Sequence, residues 1–413
     1  MKSLPISTKE RIVTIDIIRG FALLGIFLVN MPAYHSPDFL MQLYGIHKEQ
    51  KGIDYWVDLF LQLFIQMKFY TIFSFLFGLG FYIFMSRAEQ KGLATGRLFT
   101  RRIFALFLFG AAHLILLWFG DILHVYAITG LLLLFFYKRE NKTLLAWAFS
   151  LLFVIHALMS IQFFIPASTL EEMKEASQQD HSGKLTEYMQ VYGNANYAEW
   201  VSYRFDTEII PILMNLPVTM TMVLAMFLFG LYAGRMGFFQ PDTPHLHFIK
   251  KTQMITFLLS VPLVIFLALL KLHIVDPGIY RQAAVQLFTS LSGMTLCFFY
   301  ISSLTLLVRN ERWHKMLRPL GYAGQMALTN YLSQTIICII LFVGFGFYGK
   351  ISLAAGTLIC LLIYVLQITF SYIWLKRYKF GPTEWLWRSF TYGYFQPMKK
   401  EQNLKGDVKG TTM

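Results

Sequence analysis

Apolar stretches long enough to cross a lipid bilayer as helices recur along the whole sequence. A transmembrane helix needs about 20 mostly apolar residues. Only 14% of the 413 residues are charged, whereas soluble domains contain about 25%. The sequence therefore predicts an all-α fold, a polytopic transmembrane helical bundle with about ten spans. The predicted spans are 12–31, 67–86, 103–119, 122–137, 143–165, 211–234, 252–270, 284–308, 322–345 and 352–375.

The distribution of positive charge predicts the orientation of this bundle. With ten spans, both termini lie on the same side of the membrane. That side carries 26 of the 36 Lys and Arg residues, and the opposite loops carry 8. Because cytoplasmic loops are enriched in Lys and Arg, we predict that both termini are cytoplasmic. Topology then accounts for the net charge of +13, and no nucleic-acid partner is expected.

The chain divides at its largest segment outside the predicted spans. We assign an N-terminal membrane half to 1–210, a C-terminal membrane half to 211–395 and a disordered cytoplasmic tail to 396–413. The segment 166–210, which ends the first half, is rich in aromatic residues. It fits either an aromatic belt at the interface, which we favour, or a cap that stacks on a sugar acceptor. Segment 53–66 is predicted to be an interfacial helix.

The first apolar stretch contains polar residues at helical spacing. Asp16 and Arg19 are three residues apart and can pair on one helix face. Asn30 follows Arg19 by eleven residues, which is about 16 Å along the helix axis. Charges inside a span usually face a protein interior or a wet cavity. We interpret this helix as the wall of a polar site; the alternative is a clamp that only locks helix packing.

Three further polar residues lie around a predicted hairpin. His113 lies in the third span, and Asp121 and His124 are three residues apart at the following turn. An Asp–His pair can orient an imidazole for acid–base work. The alternatives are a hydrogen-bonded structural histidine and a carboxylate that caps the next helix. His35 is expected to be solvated, and the three cysteines are expected to be buried, with no disulfide and no metal site.

Later polar residues are weaker candidates. Thr329, Asn330, Ser333 and Gln334 share the ninth span, where they could line a substrate path or join helices by hydrogen bonds. Glu384 and Arg388 are four residues apart, which predicts a local pair on a short interfacial helix.

The pattern D-x-x-R-G-F-A-L-L-G-I-x-x-V-N, which begins at Asp16, resembles the start of YeiB-type bacterial membrane proteins, domain-of-unknown-function family 418. The segments 68–81, 101–134, 320–335 and 381–393 are also similar to that family. The resemblance implies a multi-pass protein of the bacterial cytoplasmic membrane. Its more distant relatives include transmembrane acyltransferases such as heparan-alpha-glucosaminide N-acetyltransferase.

This resemblance implies an acyltransferase that takes an acyl group from cytoplasmic acyl-CoA or acetyl-CoA to a small-molecule or glycan acceptor at the outer face. Arg19, Asp16, Arg101 and Arg102 are the predicted donor-binding residues. The catalytic candidates are His113, Asp121, His124 and Asn30. Large bacterial acyltransferases have a histidine at the place of Asn30, and a neutral amide can hold an oxyanion but cannot act as a base.

The base is therefore open among His35, His47, His113 and His124, and we prefer His113 because we expect His124 near the surface. The alternative functions are a small-solute transporter or exporter and a non-catalytic regulatory membrane protein. The lipid bilayer is an expected partner, and the sequence leaves a homo-oligomer open.

Overall fold

The computed structural model describes residues 11–37, 40–41, 50–178 and 181–400. These residues form helices, and the only extended pairing among them is one antiparallel bridge between Tyr378 and Lys399. Nine helical segments in these ranges are long and apolar enough to cross a membrane, and Leu123–Phe136 is a shorter apolar helix. The predicted fold class, an all-α multi-pass membrane bundle, is confirmed. Of the predicted disordered tail 396–413, residues 401–413 lie outside the described residues, as does His47. The predicted disorder is wrong for 396–400, because Gln396 is buried and Lys399 pairs with Tyr378.

The longer α-helices are numbered along the chain, and the single-turn helix Ile210–Met214 is left without a number. In chain order they are α1 (Val13–His35), α2 (Ile53–Phe64), α3 (Phe69–Gln90), α4 (Thr95–Ala112), α5 (Leu123–Phe136), α6 (Asn141–Ser160), α7 (Ala167–Gln178), α8 (His181–Asn194), α9 (Tyr197–Arg204), α10 (Leu216–Met236), α11 (Leu246–Lys271), α12 (Arg281–Leu307), α13 (Glu311–Gln325), α14 (Ala327–Cys338), α15 (Leu353–Arg377) and α16 (Pro382–Tyr392).

Glycines let the central helices approach closely. Gly78 on α3 faces the backbone of Phe227 on α10, and Gly230 on α10 faces the backbone of Phe75. A Cβ atom at either glycine would overlap the opposing carbonyl. Membrane helices have no hydrophobic driving force for pairing inside lipid, so small residues at the contact favour close packing. This pair of helices forms the centre of the bundle together with α1.

The predicted ninth span, 322–345, is wrong at its start. The chain leaves the helical path at Met326, whose φ and ψ are −112° and 34°. Helix α13 ends before it and packs on α1, where Gly324 faces the Asp16 backbone and Gly20 faces the Leu320 backbone. Helix α14 then begins inside the bundle at Ala327. The sequence did not reveal this break, because Met326 and the neighbouring Ala327 and Leu328 fit the interior of a span.

The segment 166–210 forms a cap with its own aromatic core. Tyr188, Tyr192 and Trp200 are buried in it together with Tyr348. The Glu208 carboxylate accepts hydrogen bonds from Tyr188 at 2.6 Å and from Tyr192. Arg204 donates to the same carboxylate at 2.7 Å, yet burial raises the pKa of Glu208 above its ordinary value.

These buried rings are not free to stack on a sugar, and they do not form a lipid-facing belt. Both predicted roles of the aromatic segment are therefore wrong for Tyr188, Tyr192 and Trp200. The sequence could not reveal this, because the cap buries its rings against one another and against Tyr348, which lies far along the chain.

The two ends of the bundle differ in composition. The start of α1, the start of α4 and the C-terminal helix α16 meet at one end, which we name the arginine end after the residues described below. The cap docks at the other end of α4, where Arg204 donates to the carbonyl of Leu114 at 3.1 Å and Tyr197 to that of Leu116 at 2.6 Å. We name this the histidine end, since His113 precedes Leu114.

Candidate functional site

A hairpin between α4 and α5 brings two histidines to one carboxylate. Helix α4 ends in a π-helical turn, His113–Leu117, a distortion that is frequent at functional sites. Asp121 Oδ1 lies 2.9 Å from His113 Nδ1, and Asp121 Oδ2 lies 2.7 Å from His124 Nδ1. Asp121 Oδ2 also accepts the backbone N–H of His124 at 2.8 Å. The carboxylate therefore caps α5 and orients both imidazoles.

Residues from two distant helices extend this arrangement. Thr335 on α14 has its Oγ1 2.9 Å from His113 Nε2 and 2.7 Å from the Tyr34 hydroxyl on α1. The side chain of Asn30, one turn before Tyr34, interacts with the same hydroxyl. The structure thus brings together the four predicted catalytic residues, Asn30, His113, Asp121 and His124. Sequence analysis missed Tyr34 and Thr335.

Burial determines the electrostatics of this group. His113, Asp121 and His124 are 1%, 5% and 2% exposed, so the expectation that His124 lies near the surface is wrong. Burial alone raises the pKa of Asp121, but the hydrogen bonds from His113 and His124 outweigh it, and the pKa lies below its usual value. An ionised carboxylate only accepts hydrogen bonds. Each histidine therefore donates from Nδ1.

A cavity of about 250 Å³ extends through the bundle from the arginine end. Four arginines line it, namely Arg11, Arg19, Arg102 and Arg388. Its walls are mainly apolar and include Phe73, Phe77, Phe81, Phe99, Leu76 and Leu106. Tyr331 also lines the cavity, and its ring centroid is 5.1 Å from that of His113. The cavity therefore joins a positively charged opening to the neighbourhood of the histidines.

The structure places Arg19 and Arg102, but not Arg101, in the lining of the cavity. Arg19 Nη1 lies 3.1 Å from Asp16, which confirms that the two residues pair, and Arg11 contacts the same carboxylate at 2.5 Å. Arg102 lines the cavity and lies 3.6 Å from the ring centroid of Trp387. Arg101 instead donates to the carbonyl of Phe390 at 3.1 Å. It holds α16 against α4 and does not line the cavity, so its predicted role is not supported by its position.

Helix α16 contributes two charged residues to the cavity. Glu384 Oε1 accepts the N–H of Leu328 at 2.7 Å and of Thr329 at 3.1 Å, and Oε2 accepts the Thr329 hydroxyl at 2.5 Å. The predicted Glu384–Arg388 pair is therefore wrong, because the carboxylate caps the start of α14. Arg388 lies 4.4 Å from the ring centroid of Phe380. Burial raises the pKa of Glu384 and lowers that of Arg388.

The remaining polar residues of α14 face α15. Asn330 donates to Ser371 at 2.9 Å and Gln334 to Gln367 at 2.9 Å. These contacts fit the alternative that they join helices, and neither residue lines the cavity. His35 is 2% exposed, so its predicted solvation is wrong. The three cysteines are buried and unpaired, as predicted. In the described part of the chain, no group of three His, Cys, Asp or Glu side chains is placed so that it could hold a metal ion.

Comparison with known proteins places this sequence among uncharacterised proteins. A family model described as "Protein of unknown function (DUF418)" matches residues 233–394. "Uncharacterized protein YxaH" of Bacillus subtilis is 32% identical over 97% of this chain and 99% of its own length. "Uncharacterized protein YeiB" of Escherichia coli is 30% identical over 92% of this chain and 96% of its own length. A Bacillus acidopullulyticus protein described as "Uncharacterized 39.9 kDa protein in amylase 3'region" is 33% identical over 96% of this chain and 99% of its own length. The chain therefore belongs to the DUF418 family, with YeiB among its relatives.

Proposed function

We propose that the protein is an acyltransferase of the bacterial cytoplasmic membrane. It takes an acyl group from a cytoplasmic acyl-CoA, of which acetyl-CoA is the simplest, and delivers it to a small-molecule or glycan acceptor at the outer face. The observation that carries this proposal is the cavity, which connects four arginines to Tyr331 beside His113. A transporter needs a cavity, but it does not need an oriented imidazole beside it.

The arginine end suits the anionic part of such a donor. Guanidinium groups bind phosphate with paired hydrogen bonds, and three of the four arginines come from different helices. Arg11 and Arg19 share one carboxylate, so this pair keeps a net positive charge. The apolar walls suit the uncharged arm that carries the thioester. In this placement the acyl group lies toward Tyr331.

The histidine end suits the transfer step. The acceptor hydroxyl or amine gives its proton to a histidine as it attacks the thioester carbonyl. A new C–O or C–N bond forms, the C–S bond breaks, and the proton passes to the departing thiolate. His124 is the better base, since its Nε2 has no hydrogen-bond partner among the described residues, whereas His113 Nε2 is bonded to Thr335. Asp121 would stabilise the imidazolium.

Purified protein in nanodiscs with radiolabelled acetyl-CoA tests this function. We would measure binding and thiol release with glucosamine, glycerol and a bacterial lipid extract as probe acceptors. Removal of a general base costs about a hundredfold or more in rate, so H124Q should lose thiol release and retain binding. R388A should weaken binding about tenfold. The exposed His247 offers a control, H247Q, which should change neither quantity.

The enzyme hypothesis would be contradicted by well-folded wild type that binds no acyl-CoA. If H124Q and H247Q both release thiol at the same rate as wild type, the role of His124 as the base is contradicted. Uptake of intact thioester into sealed vesicles, with no cleavage, would move the transporter to first place.

A further inference from the structure

The two histidines of the hairpin differ at their Nε2 atoms. Thr335 lies within hydrogen-bond distance of His113 Nε2, and no described residue bonds to His124 Nε2. We propose that Thr335 is a positioning residue that assigns the base role to His124 by occupying His113. This inference rests on the proposed function, because it concerns which of two histidines takes the acceptor's proton. It adds a residue of α14 and a residue of α1 to the site.

The two imidazoles begin from equivalent positions. Each places its Nδ1 on one oxygen of Asp121, at 2.9 Å for His113 and 2.7 Å for His124. Each is almost completely buried. With both Nδ1 atoms donating, the neutral tautomer leaves a lone pair on both Nε2 atoms. Asp121 therefore does not select one histidine over the other.

The Nε2 atoms are not equivalent. His113 Nε2 lies 2.9 Å from the Thr335 hydroxyl, and the lone pair on that nitrogen requires the hydroxyl to be the donor. His124 Nε2 is buried, and no residue in the described ranges bonds to it. Its lone pair is therefore not engaged by a donor of the described residues. When one of the two histidines takes up a proton, the negative charge of the Asp121 carboxylate compensates it. Because there is only this one carboxylate between them, one imidazolium can be compensated at a time.

Tyr34 fixes the orientation of the threonine. A hydroxyl that donates to His113 Nε2 can still accept, and the Tyr34 hydroxyl lies 2.7 Å from it. Thr335 and Tyr34 are 0% and 3% exposed, so bulk water does not compete for these bonds. The centroid of the Tyr34 ring lies 4.3 Å from the centroid of the Trp118 ring. The hydrogen bonds thus point from α1 through α14 toward His113.

Nitrogen-15 NMR of histidine-labelled protein tests this assignment without turnover. H113Q and H124Q spectra identify the two signals. In wild type, both histidines should carry the proton on Nδ1. T335V should move the His113 Nε2 resonance to the position of a free lone pair and leave His124 unchanged. T335S keeps the hydroxyl and should restore the wild-type resonance.

Kinetics provide a second readout. T335V should lower kcat about tenfold, the size expected for the loss of one buried hydrogen bond, while KM for acetyl-CoA stays within about twofold. T335S should recover most of kcat. A His113 signal with the proton on Nε2 in wild type would overturn the inference, as would equal losses of activity in T335V and T335S.

The two proposals fail in different ways. If wild type cleaves no thioester but T335V and T335S give the expected spectra, the acyltransferase is wrong and the assignment of the tautomers stands. If wild type cleaves thioester and the His113 signal ignores both substitutions, the role of Thr335 is wrong.

Discussion

Asp16 holds two arginines of the cavity opening at once. Its side chain is 5% exposed, whereas those of Arg11 and Arg19 are 30% and 29% exposed. The spacing of three residues predicted the pair with Arg19, but Arg11 precedes the predicted first span and its contact was missed. Because two arginines share the carboxylate, loss of Asp16 leaves more uncompensated charge than loss of Arg19.

We therefore expect D16A to be less stable than R19A. Removal of the shared carboxylate should cost about 1–3 kcal/mol, because Arg11 and Arg19 would face each other without a counter-charge. R19A leaves Asp16 paired with Arg11 and should cost less. A thiol-reactive dye can follow unfolding on heating, since Cys297, Cys338 and Cys360 are buried in the folded protein. An R19A variant that melts below D16A would contradict this prediction.

At the residue scale, sequence spacing found contacts within one hairpin or one helix. His113, Asp121 and His124 are close along the chain, and their spacing predicted a carboxylate–imidazole group. Thr335 is separated from His113 by 222 positions, and no local pattern marks a threonine in a span as a partner of a histidine. Tyr34 was invisible for the same reason, since a tyrosine near a helix end usually indicates only an interface.

Helix α14 is the element that connects the two ends of the cavity. At its start, the N–H of Leu328 donates to the Glu384 carboxylate. Farther along, Tyr331 lines the cavity and Thr335 lies within hydrogen-bond distance of His113. The first N–H groups of a helix have no partners within the helix, and inside a membrane they require one. Glu384 supplies it from α16. Because Glu384 lies 56 positions from Leu328, no local pattern in the sequence could predict the start of α14.

We expect E384A to destabilise the protein by about 1–3 kcal/mol, because it leaves two backbone N–H groups and the Thr329 hydroxyl without their acceptor. E384Q keeps one carbonyl oxygen for the N–H groups and should lose less. Glu311 offers a matched control, since its pair with Lys315 is exposed and E311A should change stability little. The same thiol-reactive melting measurement applies. Equal melting temperatures for E384A and E311A would show that the contact of Glu384 with the start of α14 is unimportant for stability.

The whole molecule has an alternating arrangement that the sequence predicted well. The starts of α1 and α4 and the helix α16 meet at the arginine end, as ten crossings require. Charge counting predicts the direction, with this end in the cytoplasm. The buried aromatic core of the cap was not predicted, because it joins α8 and α9 to Tyr348 through contacts that no single segment contains.

Labelling of single cysteines tests this direction. Gln90 at the end of α3 and Ser168 in the cap are exposed, and the native cysteines are buried. An impermeant maleimide should label S168C in intact cells and Q90C only after permeabilisation. Unmodified protein is the control and should stay unlabelled. Labelling of Q90C alone in intact cells would reverse the orientation and place the arginines outside.

If the protein has the proposed function, the break at Met326 has a consequence for which donors it can select. Helix α14 starts inside the bundle. On this helix, Leu328 and Thr335 are seven residues apart, which is about 10 Å along the helix axis. On α1, Arg19 and Asn30 are about 16 Å apart. Two rigid helices therefore set a fixed gap between the groups that would hold an anionic head and those that would act on a carbonyl. This gap sets the length that the linker of the donor must have. A thioester with a shortened linker should reach either the arginines or the histidines, but not both.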